Sequence, residues 1–136
     1  GMENAENFMQ IRSQRWLFDA QFPGKQLLFV CRYPQENLEN LRSWLLRIPN
    51  RYVHFGDFDL AGVHIYLSEF YAHLGNRSSF LVPSDIEERL TEGNAVLYNQ
   101  QYARFRNMAV TDVRLQPLIN MIHHYRRGYE QEGYIR

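Results

Sequence analysis

Lysine is almost missing from this chain: among 15 basic residues in a length of 136, only Lys25 is Lys. The rest are Arg, whose planar fork meets phosphate or carboxylate through paired hydrogen bonds. That bias is compatible with phosphodiester handling and equally with a GC-rich genome. Acidic residues also number 15, so there is no net charge. A neutral chain has no global pull toward nucleic acid, and DNA binding would need a local patch or another domain. The single cysteine, Cys31, excludes an internal disulfide and fits a cytoplasmic address. It lies in the apolar run QLLFVCRY and reads as a buried strand residue rather than a nucleophile. No apolar run approaches the roughly 20 residues that span a bilayer, and no signal peptide is read.

What is present excludes disorder: 45% of residues are hydrophobic and 15% aromatic. The length suits one domain and is too short for two ordinary ones. Gly1 before Met2 has the look of a tag remnant and is set aside from the fold. Helical periodicity over residues 5 to 20 (Phe8, Ile11, Trp16, Leu17, Phe18) ends at Pro23 and Gly24. Gln26 to Arg32 reads as a short buried strand. A helix from about Glu36 to Leu46 follows Pro34, then a strand from Tyr52 to Phe55 and a helix over 60 to 74, closed by Gly75 and Asn76. Ser79 to Val82 is a third strand. Ser84 and Glu87 match a capping box for a helix to about Leu90. This alternation predicts a parallel sheet flanked by helices, with Gln26, Tyr52 and Ser79 strands as its core. Beyond Gly93 the pattern is helical, over Ala95 to Met108 and from about Val113 to Glu132.

The stretch YVHFGDFDLAGVHI, Tyr52 to Ile65, carries the clearest chemical signal. Side chains two apart on a strand share a face, so Asp57 and Asp59 converge where the strand leaves the sheet. In open α/β sheets that edge is where ligands bind. Two close carboxylates repel, and a divalent cation such as Mg²⁺, which takes oxygen ligands, relieves the repulsion. Gly56 and Gly62 permit tight turning and close approach. The competing reading is structural, because Asp also caps helices, and either Asp57 or Asp59 suits the cap of the helix near Leu60.

HFGDFDLAGVHI resembles the tryptophan-glycine-aspartate D-x-D motif of Toprim domains, found in topoisomerases, primases and related nucleases, with Phe55 where Trp is usual. ENAENF, Glu3 to Phe8, resembles the E-N-x-x-x-F of the C-terminal Toprim domain in the JetD-type nuclease subunit of Wadjet anti-plasmid systems. YEQEGYI near the end resembles that domain's E-Q-E-x-I tail. Topoisomerase VI A subunits are similar to the same group. The three stretches agree in order and rough spacing across nearly the whole chain.

The resemblance implies a Toprim-like, Rossmann-like α/β fold with a helical C-terminal part, forming a single domain over 1–136 from the C-terminal part of a longer protein. It implies Mg²⁺ or Mn²⁺ held by Glu3, Asp57 and Asp59 for phosphodiester cleavage. Glu130 and Glu132 are candidate auxiliary metal ligands or general bases, against a reading as a solvated helix end. The strand expected before Glu3 is absent from the sequence, so Glu36, after the Gln26 to Arg32 strand, is an alternative third carboxylate. His54 and His64 read as structural or surface histidines, since no second His or Cys stands at transition-metal spacing. The implied partners are DNA, an SMC-like complex and a second copy as a homodimer, with no membrane.

Two other readings compete with that one. A degenerate Toprim fold acting as an assembly or dimerisation module would use the acids merely as helix caps. A haloacid-dehalogenase-type phosphotransferase also follows a strand with D-x-D, but it needs a Lys after later strands, and Lys25 comes before the motif.

Overall fold

Tyr52–His54 (β1) and Ser78–Phe80 (β2) pair in parallel, with Tyr52 opposite Ser78 and His54 opposite Phe80. The computed structural model describes residues 1–136. β1 is short because the chain must turn at Gly56, and its alternation buries Tyr52 and His54 while Val53 is half-buried. The architecture is mixed α/β, a small parallel sheet flanked by helices.

The extended start of the chain widens this sheet. Phe55 donates its N–H to the Gly1 carbonyl at 2.8 Å and Glu3 donates to the Phe55 carbonyl at 3.0 Å. On the other side Met2 donates to Val30 O at 2.8 Å and Arg32 donates to Met2 O at 2.9 Å. Met2 therefore bridges Cys31 and Phe55, both in parallel, and is 1% exposed. This corrects two expectations: Gly1 and Met2 belong to the sheet, and Glu3 does follow an extended segment. Met2 lies between the Gln26 and Tyr52 segments. The predicted strand over Gln26 to Arg32 reduces to a single bridge at Cys31, which is half-buried rather than buried. Residues 25–30 run along the rim with Leu28 73% exposed, so little packing holds them in a ladder.

The predicted helix over 5 to 20 is two helices, Ala5–Met9 (α1) and Ile11–Gln21 (α2), broken at Gln10. The Gln14 amide explains the break: its Nε2 donates to Asn7 O at 2.8 Å and Gln10 O at 3.1 Å, satisfying carbonyls at the interruption. A 3₁₀ turn, Gln35–Asn37, leads into Leu38–Arg47 (α3). After β1 the helical run over 60 to 74 forms as expected, in three pieces: Leu60–Ile65 (α4), a π-helical stretch Tyr66–Tyr71, and Ala72–Leu74 (α5). Gly75, at φ 56°, ends it in a conformation that favours glycine.

Ile86–Thr91 (α6) lacks the expected capping box. Asp85 holds the cap position, and its carboxylate instead takes Arg89 Nε at 2.7 Å and the Tyr134 hydroxyl at 3.0 Å. Ala95–Phe105 (α7) is capped by the Asn94 side chain, which accepts from the Leu97 N–H at 3.1 Å. The last helix, Gln116–Tyr125 (α8), follows a 3₁₀ turn at Val113–Leu115 and stops at Arg126, far short of Glu132. Backbone bonds to distant segments win over helix continuation there. Gly128 exchanges hydrogen bonds with Asn94 at 2.7 and 3.1 Å, and Tyr129 with Phe58 at 2.8 and 3.1 Å. The chain thus returns across the sheet edge and closes in a 3₁₀ turn, Gln131–Tyr134.

The core lies between the sheet and these helices. Phe55, Phe58, Tyr66, Phe70 and Tyr134 are each 2% exposed or less. Phe58 meets Tyr134 edge-on at 5.7 Å and Phe80 at 5.8 Å. Fully burying one such side chain contributes roughly 2–3 kcal/mol, so this cluster is the main force holding the carboxyl edge in place.

Candidate functional site

Three stretches far apart in sequence meet at the carboxyl edge of the sheet: Glu3–Asn7, Asp57–Asp59 and Gln131–Glu132. Asn4 ties the first to the last by donating its amide to Glu132 Oε1, while its own Oδ1 caps α1 through the Glu6 N–H at 2.7 Å. Asn7 Nδ2, buried, donates to the Gln131 carbonyl at 3.0 Å. The Gln131 N–H then donates to Asp57 Oδ1 at 2.9 Å. The C-terminal turn is therefore fastened to both the Glu3 and the Asp57 segments by polar side chains.

Glycines let the pieces close up. A Cβ on Gly56 would lie 2.3 Å from Glu3 Oε2 and 2.8 Å from His54 Nε2, so the Glu3 carboxylate rests over the end of β1 only because Gly56 has no side chain. A Cβ on Gly62 would come 2.2 Å from the Asp57 carbonyl oxygen, which explains how α4 starts so near the strand end.

Glu3 is held by buried groups. His54, 0% exposed, places Nε2 3.3 Å from Glu3 Oε2 and Nδ1 3.1 Å from the Tyr52 hydroxyl. Burial holds the His54 imidazole well below its usual pKa, assisted by the N-terminal amine and Arg32. The ring is neutral, so one of its nitrogens donates and the other accepts, linking Glu3 and Tyr52 through a single imidazole. Arg32, also buried, forks onto Glu69 at 2.7 and 2.8 Å and is the nearby positive charge acting on Glu3.

The carboxylates press on one another. Burial pushes the Glu3 carboxyl up to about 7, against the pull of Arg32 and with added push from Asp59 and Glu69. Burial likewise pushes Asp57 up to about 7; the Gln131 N–H opposes this, while Glu3, Asp59 and Glu132 reinforce it. Asp59 is 3% exposed and uses both oxygens: Oδ1 accepts the Gly62 N–H at 2.7 Å and Oδ2 accepts from Gln101 Nε2 at 2.8 Å. It is the N-cap of α4, as the structural reading of the motif allowed. Glu132 Oε2 is buried without any partner.

The other sequence candidates lie apart from this group. Glu36 is exposed on the 3₁₀ turn before α3 and has no hydrogen bond to the cluster. Glu130 is exposed and lines a shallow cleft of about 520 Å³ with Glu92 and Glu132. His64 packs on the Phe105 ring at 5.0 Å. Four participants had no chemical signature in the sequence: Arg32, Gln101, Gln131 and the His54 contact to Glu3. Only the register of His54, two residues before Gly56, pointed toward the edge.

Hard carboxylate oxygens from Glu3, Asp57 and Asp59, with the unpartnered Glu132 Oε2 beside them, are the donor set Mg²⁺ or Mn²⁺ takes. Their oxygen chemistry suits such an ion. No three His, Cys, Asp or Glu side chains are already gathered into a metal-holding group, and Asp59 would have to exchange its Gln101 bond to join one.

Fold and site together define a small α/β domain with partly buried acidic residues at the carboxyl edge of a parallel sheet. The chain belongs to the family described as a domain of unknown function, DUF7281, whose model matches residues 2–136. No curated protein and no solved structure matches it significantly.

Proposed function

We propose that this chain is a Toprim-like domain for metal-dependent phosphodiester cleavage in DNA, of the kind used by anti-plasmid nucleases. The observation that carries the reading is the raised pair Glu3 and Asp57 at the end of parallel segments, each pushed to about 7 chiefly by burial, with Asp59 adding repulsion to both. Such a pair is poised to take up positive charge. Glu3, Asp57 and Asp59 would hold the ion. A bound Mg²⁺ or Mn²⁺ supplies Lewis-acid polarisation of the scissile phosphate. The chain's own groups orient the cluster: His54 fixes Glu3, the Gln131 N–H fixes Asp57, and Gln101 fixes Asp59. DNA is brought to the edge by surfaces beyond the cluster, by the remainder of a longer protein or by an SMC-like partner complex, and a homodimer is compatible with this.

The test is nicking or cleavage of plasmid DNA with Mg²⁺ or Mn²⁺ by the wild type and by Glu3→Gln, alone and in the full-length context. Glu3→Gln should suppress cleavage more than DNA binding, because it acts on charge developing in the transition state. Wild-type cleavage by Glu3→Gln with loss in Glu36→Gln would move the third carboxylate to Glu36.

A second reading has its own support: both Asp59 oxygens are already used in capping α4 and binding Gln101. On that reading the domain is an assembly or dimerisation module whose acids are structural. Unchanged Mn²⁺ affinity in Asp57→Ala, measured by calorimetry, would select it.

A further inference from the structure

A basic recess on this neutral chain lies between α7 and α8. It has a volume of about 680 Å³ and is lined by Tyr98, Tyr102, Arg106, Asn107, His123 and Arg126, with no carboxylate among them. Neither guanidinium is in an ion pair or a hydrogen bond within the protein. Arg106 stands 5.8 Å above the Tyr102 ring, and Tyr102 is 37% exposed. Beneath it, the Tyr98 hydroxyl and His123 Nδ1 are 2.8 Å apart, with their rings edge-on, which holds the floor rigid.

Arg106 and Arg126 stand at the C-terminal ends of α7 and α8, and a helix end favours a cation there. That alone accounts for neither the exposed tyrosine platform nor the backbone of Arg126. Arg126 is the only non-glycine residue at positive φ, 54°, where Gly or Asn is the usual choice. Keeping Arg there strains the backbone and presents a second free guanidinium to the recess.

We propose that this recess binds single-stranded nucleic acid, with one base stacked on Tyr102 and backbone phosphates at Arg106 and Arg126. Sequence-tolerant stacking on an aromatic face beside free guanidiniums is how single strands are held. α7 also links the recess to the acidic edge, since Gln101, between Tyr98 and Tyr102 in the chain, donates to Asp59. The choice of ligand rests on the phosphodiester reading above, whereas the binding itself requires no metal.

The experiment is fluorescence anisotropy of a labelled thymidine oligonucleotide of about 12 nucleotides with the whole chain, at low salt and in EDTA. Tyr102→Ala should raise Kd about tenfold through lost stacking. Arg106→Ala and Arg126→Gly should each weaken binding and flatten the slope of log affinity against log salt by about 0.7. Arg126→Gly relieves the left-handed strain, so its melting temperature should hold or rise while binding falls, separating recognition from folding. No binding by the wild type, or undiminished binding by Tyr102→Ala and Arg126→Gly, overturns the assignment. Because EDTA is present, this binding is read without metal, and failure of the metal reading would appear only in Mn²⁺ titration and cleavage assays.

Discussion

The imidazole of His54 and the carboxylate of Glu3 meet at 3.3 Å over a glycine that has no side chain to separate them. His54 is also the only hydrogen-bond partner of the buried Tyr52 hydroxyl. His54→Phe would fit among the rings of Tyr66, Phe70 and Phe80, at 5.8, 5.0 and 5.6 Å, yet leave that hydroxyl unsatisfied. The expected loss is about 1–3 kcal/mol in urea unfolding, and adding Tyr52→Phe should recover part of it. Equal stability of single and double variants would show that the pair is not coupled.

Stability of the metal-free protein should fall as pH rises. Glu3 and Asp57 ordinarily titrate near 4.5 and 3.8, and in the fold each is pushed up to about 7. The native state therefore holds more protons than the unfolded chain between those values. Its stabilising contribution is complete below about pH 4 and is lost as pH climbs through about 7, by roughly 1–4 kcal/mol per group. Asp57→Asn, which keeps an oxygen for the Gln131 N–H, should remove part of this slope and melt higher than wild type at pH 8. Thermal melts across pH 4 to 8 measure it; parallel profiles would mean Asp57 is ionised throughout.

Mn²⁺ should raise the melting temperature more at pH 8 than at pH 5, because carboxyls that still hold protons near 7 cannot ligate until they lose them. Asp57→Ala and Asp59→Ala should both abolish the effect, but they should differ without metal. Asp57→Ala removes a repelled charge but also the acceptor of the Gln131 N–H, so the two effects oppose and its net change should be small, whereas Asp59→Ala strips the α4 cap and should cost about 1–2 kcal/mol. Equal Mn²⁺ shifts in wild type and both variants would argue against a metal at this edge.

Gly62→Ala should be severely destabilising, on the order of 3 kcal/mol or more, although Ala is the better helix former. Its Cβ would sit 2.2 Å from the Asp57 carbonyl oxygen, a backbone atom that cannot rotate away. Gly56→Ala meets movable side-chain ends at 2.3 and 2.8 Å and should fold, with the Glu3 carboxylate displaced and Mn²⁺ affinity reduced. Chemical denaturation of the two variants side by side checks the contrast.

The sequence by itself determined those elements whose signals are local. β1 and the helical run over 60 to 74 stand where periodicity placed them, because a short apolar strand ending in Gly56 and an amphipathic run closed by Gly75 need no distant help. The position of Asp57 and Asp59 at the carboxyl edge followed from the same stretch. Tertiary structure alone decided the rest, through bonds between residues far apart in the chain. Met2 became a central sheet residue because Val30 and Phe55 lie on either side to pair with it. The helix predicted to reach Glu132 stopped at Tyr125 because Gly128 and Tyr129 pair with Asn94 and Phe58. That return of the chain, over distances no local pattern encodes, is what sets Gln131 against Asp57 and Glu132 against Asn4.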